Sequence, residues 1–142
     1  MAATSRKTPR GLRNNNPCNI RISPTKFVGE IVPSQDSAFK QFRTIAHGYR
    51  AAFVTLRTYQ RKHGLNTIAK IISRWAPPVE NNTDEYIRTV TNMSGIPRDR
   101  VISADDSSAM IPIVSAMSYV ENGVVAKDDD VRAGWKLFTN GN

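Results

Sequence analysis

A chain of 142 residues with 39% hydrophobic and 23% charged residues has the size and composition of one globular domain with one core. Its 20 Lys and Arg against 12 Asp and Glu leave a net charge of +8, which favours an anionic partner (nucleic acid, a membrane surface or the bacterial wall) without choosing among them. The single cysteine, Cys18, excludes an internal disulfide, and no apolar run reaches the roughly 18 residues of a membrane span.

Residues 1–9 read as a flexible basic arm, because Arg6 and Lys7 stand there without an acid or an apolar cluster. The start has no apolar signal-peptide core, so synthesis in the cytoplasm without export by a signal sequence is expected. Residues 10–142 are expected to form the folded domain. Asn14-Asn15-Asn16-Pro17 is turn chemistry: Asn side chains bond the local backbone and Pro fixes φ. Residues 26–43 predict a small β region, with Phe27-Val28 and Ile31-Val32 flanking Gly29 and an apolar pair at Phe39 and Phe42.

Helical spacing takes over near residue 44. Tyr49, Ala52, Phe53, Leu56 and Tyr59 share one face, and Gly64 is a stop signal. Asn66 is the expected cap of a short helix presenting Ile68, Ile71, Ile72 and Trp75, ended by Pro77-Pro78. Asn82 and Glu85 have capping-box spacing ahead of a helix that is expected to bury Tyr86, Val90 and Met93 and to stop at Gly95. A helix near 106–121 carries Met110, Ile113, Val114, Met117 and Val120 up to Gly123. A last one, near 129–138, carries Trp135 and Phe138 behind the dipole-favoured acids Asp128, Asp129 and Asp130. The fold class is therefore mostly α with a small β region.

Neither HExxH nor a paired CxxC is present, and there is no nucleophile-elbow or phosphate-loop pattern, so neither a metal nor another cofactor is expected. The chemistry left is acid–base work by carboxylates. Glu30, the first acid of the chain, lies between Val28 and Ile31. It is either a general acid under a folded-over apolar segment or a solvated acid on a strand edge. Glu80 follows the Pro77-Pro78 turn just ahead of a helix that carries Tyr86 near its start. It is either a cleft carboxylate beside that phenol or a capping acid beside a core tyrosine. Glu121, near a helix end, reads as solvated.

Two segments resemble a known family. Arg10-Gly11-Leu12-Arg13-Asn14-Asn15-Asn16-Pro17-Cys18-Asn19-Ile20-Arg21 is similar to an RGxRNNNPGNIR opening, and Arg74-Trp75-Ala76-Pro77-Pro78 with Glu80-Asn81, Thr83 and Tyr86 is similar to a WAPPxENxTxxY segment. Both are features of small phage and prophage structural proteins with muralytic activity, a virion-borne lysin among them. The likeness covers roughly residues 10–102. Cys18 departs from the usual Gly, and Phe27 from the usual Trp.

This resemblance implies a lysozyme-like, lytic-transglycosylase-like domain that cleaves the MurNAc–GlcNAc backbone of peptidoglycan, associated with the virion and acting on the bacterial wall. With no acid ahead of the Asn-rich segment, elimination leaves Glu30 or Glu80 as the catalytic residue, or none, and chain order in a lysozyme fold favours Glu30. The resemblance implies Tyr86, Thr83, Asn14, Asn15, Asn16 and Asn19 as substrate-binding residues. Other tail or core proteins of a virion are further expected partners. Nucleic acid is not, since no recognition motif accompanies the basic charge. The alternative is a non-catalytic virion or wall-binding protein on a degenerate lysozyme fold, and the absence of any acid before the Asn-rich segment speaks for it.

Overall fold

Side-chain caps start four of the helices, and the core is built from the apolar stripes that follow them. In a computed structural model, which describes residues 8–140, the order is α1 (Arg10–Arg13), β1 (Glu30–Ile31), β2 (Gln41–Phe42), α2 (Ile45–His63), α3 (Ile68–Trp75), α4 (Thr83–Ser94), α5 (Ser107–Asn122) and α6 (Asp128–Thr139). Thr44, Thr67, Asn82 and Asp106 each accept a backbone N–H of the first turn that follows them. Gly64, Gly95 and Gly123 close α2, α4 and α5 in the left-handed conformation. The fold is mostly helical with one two-stranded antiparallel sheet, as the patterning predicts.

The differences from expectation are local. Thr67 rather than Asn66 caps α3, and α6 begins at Asp128. Met93 is exposed, because it lies off the stripe formed by Tyr86, Ile87 and Val90 that faces the core. The β region is far shorter than its apolar pairs imply. Glu30 pairs with Phe42 and Ile31 with Gln41, and a separate isolated bridge joins Arg21 to Phe39. Gly29 turns the chain at φ 81°, Val28 and Val32 face outward, and Pro33 has no N–H to continue a ladder. Of the basic arm, residues 1–7 lie outside the described residues.

Helix α2 is the spine of the domain. Its closest partner is α6, where Gly134 rests on the Tyr49 side chain, and a Cβ at that position would strike it. Phe53 meets Trp135 edge-on with centroids 4.9 Å apart, and Phe138 lies 5.8 Å from Phe53. Helices α4 and α5 pack on each other, α3 packs against α4, and α5 also contacts α2 and α6. No described helix is long and apolar enough to cross a membrane.

The Asn-rich loop after α1 joins these layers. The Asn14 carbonyl accepts the Phe42 N–H at 2.9 Å, and the Asn16 amide donates to the carbonyls of Ile20 and Lys40, both at 2.9 Å. The Asn15 carbonyl sits directly over Gly48 of α2, a position where a Cβ would overlap it. The Asn122 amide at the end of α5 donates to the Pro17 carbonyl at 2.7 Å. The loop is thereby held between β2, α2 and α5, which brings the start of the domain against the end of its fifth helix.

Candidate active site

That junction opens into a cleft of about 540 Å³. The Asn-rich loop supplies Asn19, Ile20 and Arg21, and Phe39 stands beside them. Helix α2 supplies Thr55 and Tyr59. The end of α3 and the turn after it supply Arg74, Trp75, Ala76, Pro77, Glu80 and Asn81, and Glu121 comes from α5. A second hollow of about 300 Å³ adjoins it, lined by Asn81, Asn82, Glu85, Tyr86, Thr89, Val120 and Glu121. Asn81 and Glu121 line both, so they mark where the two hollows meet.

The walls are mixed in a particular way. Trp75 is half-buried, with its ring 6.2 Å from that of Tyr59 in an edge-on pair, and the Arg74 guanidinium lies 5.2 Å over the Tyr59 ring. Arg21 stacks on Phe39 at 5.2 Å, and Arg10 lies 4.7 Å from the same ring. Thr83 donates to the carbonyl of Ala76 across the Pro77-Pro78 turn and so fixes the end of α3 to the start of α4. This bond sets the position of Trp75 and of the turn that carries Glu80.

At the junction stands Glu121. Its Oε1 accepts the Asn19 amide at 2.9 Å and its Oε2 accepts the Tyr86 hydroxyl at 2.9 Å. Burial first, and then the negative charge of Glu121, push the Tyr86 phenol well above its usual value, so it stays protonated and remains a donor. Beneath lies Cys18, fully buried, with its thiol also pushed well up, first by burial and then by Glu121. Asn19 holds a positive φ of 54°, a conformation that Asn tolerates better than most residues, and this turns its amide toward α5.

The residues expected to form the site fall into two groups. Glu80, Asn19 and Tyr86 line the paired hollows. Glu80 stands on the rim with 66% of its side chain exposed, and its nearest charged partner is Arg21 at 3.5 Å. Glu30 lines neither hollow. Its Oε2 is 2.8 Å from the Nζ of Lys40, its Oε1 accepts the Phe27 N–H at 3.1 Å, and the two side chains are only 7% and 0% exposed. Lys40 completes its set of three donors with the carbonyls of Ser23 and Thr25 at 3.1 and 2.8 Å. Here Glu30 and Lys40 hold the small β region together.

Asn14, Asn15, Asn16 and Thr83 likewise line neither hollow. Asn14 donates to Asp36 and Asn15 to the Phe42 carbonyl, both at 3.1 Å, while Asn16 is fully buried. Their amides are consumed in bracing the loop, which leaves Asn19 as the Asn of that segment that faces the cleft. Cys18 does not have a positive φ; the left-handed positions of the loop are Asn15 and Asn19.

Sequence reasoning missed Glu121. A signal was present: Glu121 continues the buried stripe of α5 through Met110, Ile113, Val114 and Met117, four residues beyond Met117. An acid on an apolar face, at the negative end of a helix dipole, is out of place for helix stability. Among the described residues no three His, Cys, Asp or Glu side chains are grouped as metal ligands.

No protein-family model matches the chain. Over 117 residues it is 44% identical to Protein P5 of Pseudoalteromonas phage PM2, a stretch that spans 80% of this chain and 71% of the relative.

Proposed function

This chain belongs to the family of Protein P5 of Pseudoalteromonas phage PM2, and on that premise we propose that it is a phage protein that binds the glycan strand of peptidoglycan in its cleft and cleaves the MurNAc–GlcNAc linkage. The observation that carries this reading is the composition of the paired hollows. Trp75, Tyr59 and Phe39 offer faces and edges for the apolar sides of sugar rings. The amide of Asn81 matches the N-acetyl and hydroxyl groups, and Arg21 and Arg74 complement the carboxylates of an anionic wall polymer. Acids stand at the rim and at the junction of the same cleft, which is the residue class that glycoside cleavage requires. The chain's net charge of +8 draws it to the wall over distance. In this reading the protein travels with a phage particle or is made during infection, and its substrate is the host wall.

The test is incubation with purified sacculi, followed by mass spectrometry of what becomes soluble. Disaccharide-peptides are the expected product, ending in either a reducing or an anhydro muramic residue. Free peptides with intact glycan would move the cleavage to the peptide bridge. Sacculi that bind the protein and release nothing would replace the enzyme by a wall-binding virion component on the same scaffold.

A further inference from the structure

We infer that Glu121 is the general acid of this site, with Tyr86 and Asn19 as its positioning residues; the assignment rests on the glycan-cleaving reading above. Three observations carry it.

First, Glu121 is a partly buried carboxylate without a cation. Among the described residues no Lys, Arg or His lies within 4.0 Å of it, whereas Glu30 and Asp36 are each paired with a basic side chain. Charged groups taken from water are ordinarily paired, and this one is held only by a phenol and an amide. Second, it sits one residue before the end of α5, where the helix dipole works against a negative charge. An acid that serves neither an ion pair nor its helix is a candidate for chemistry. Third, it stands where the two hollows meet. A polymer cut in its interior must occupy the enzyme on both sides of the broken bond. The acid then belongs between the occupied sites rather than at an outer rim such as that of Glu80.

The hydrogen bonds fit the role. A carboxylate has about four acceptor positions, and Tyr86 and Asn19 take two, so positions remain open toward the cleft. In the forward step the protonated form of Glu121 passes its proton to the glycosidic oxygen. The bond from that oxygen to the anomeric carbon breaks, its electron pair stays on the oxygen, and the leaving sugar departs as an alcohol. As the proton leaves, negative charge grows on Glu121, and the Tyr86 O–H and Asn19 N–H are already aimed at the two oxygens that receive it. An oxygen nucleophile, the sugar's own 6-hydroxyl or water, then bonds to the anomeric carbon and returns its proton to the Glu121 carboxylate. No redox partner is needed, and the acid is regenerated.

The acid thus comes from the C-terminal half of the chain, after the Asn-rich loop rather than before it. The lack of an acid in residues 1–29 therefore leaves the site complete, because Asn19 and Glu121 meet across 102 positions of sequence.

The experiment compares wild type, Glu121→Gln, Glu80→Gln and Tyr86→Phe on purified sacculi. It measures soluble fragments, co-sedimentation with the sacculi and the melting curve of each. Glu121→Gln keeps shape and binding but has no carboxyl proton, so turnover falls by roughly 10²–10⁴-fold with co-sedimentation unchanged. Tyr86→Phe removes one donor to the developing charge and lowers kcat by about 10–100-fold at unchanged KM, the signature of an interaction made in the transition state. Glu80→Gln loses less than Glu121→Gln, and does so through KM. If Glu121→Gln does not fold, Glu121→Asp, with its carboxyl one methylene further back, must bind sacculi and still turn over slowly. Wild-type turnover by Glu121→Gln or Glu121→Asp, or a larger loss in Glu80→Gln, overturns the assignment alone. A wild type that cleaves no peptidoglycan overturns the assignment together with the reading beneath it.

Discussion

Glu30→Gln separates a structural acid from a catalytic one. Lys40 is fully buried, and its three donors are taken by two carbonyls and the Glu30 carboxylate at 2.8 Å. Exchanging that carboxylate for an amide leaves an ammonium in the interior with no counter-charge. Breaking one side of a buried pair costs about 3–5 kcal/mol. For a domain of this size that lowers the melting temperature by about 10–15 °C. Urea unfolding followed by far-ultraviolet circular dichroism measures the loss directly. The double variant Glu30→Gln with Lys40→Met removes the stranded charge as well and should regain most of the stability, since replacing a whole buried pair by neutral groups is near neutral. Should Glu30→Gln unfold at the wild-type urea concentration and lose turnover instead, the ion-pair argument is wrong and Glu30 belongs to the chemistry after all.

Other consequences are as direct. Gly48→Ala places a methyl against the Asn15 carbonyl and should lower stability by about 1–3 kcal/mol or more, read from the same unfolding curves; a neutral result would mean that the loop is free to withdraw from α2. Arg10 first, then the backbone N–H of Ala38, holds the Asp36 carboxyl well below its usual value. A carboxyl with a depressed folded-state value adds stability above its unfolded value of about 4 and loses it as the pH falls through the folded one. The advantage of wild type over Asp36→Asn is therefore full at neutral pH and shrinks only in strong acid, and an advantage that vanishes near pH 6 would contradict it. Trp75→Ala should weaken sacculus binding and cost less than the about 3–5 kcal/mol of a fully buried aromatic, because its ring is half in the cleft. The buried Cys18 thiol, pushed well above its usual value, should react with a thiol reagent only as fast as the protein opens, which time courses with and without urea resolve.

The helices were legible in the sequence because their signals are local. A cap, an apolar repeat and a stop residue lie within one or two turns of each other, so Thr83–Ser94 and Ile45–His63 follow from a window of chain without knowledge of what they pack against. The segment from Trp75 to Tyr86 stood out for the same reason, and its residues do border the cleft. The roles of individual polar residues were not local. Asn14, Asn15, Asn16 and Asn19 are alike in sequence, yet three brace the loop against β2 and Asp36 and one reaches α5. Glu30 and Glu121 both have surroundings in the fold that differ from those their neighbours in sequence imply. Glu30 has apolar neighbours along the chain, but a buried Lys40 ten positions away engages it. Glu121 looks like a solvated helix end until the loop at Asn19 and helix α4 at Tyr86 close over it. Whether a carboxylate is paired, capped or left facing a cleft depends on which surfaces meet, and the packing of α5 against α4 and the N-terminal loop decides that for this protein.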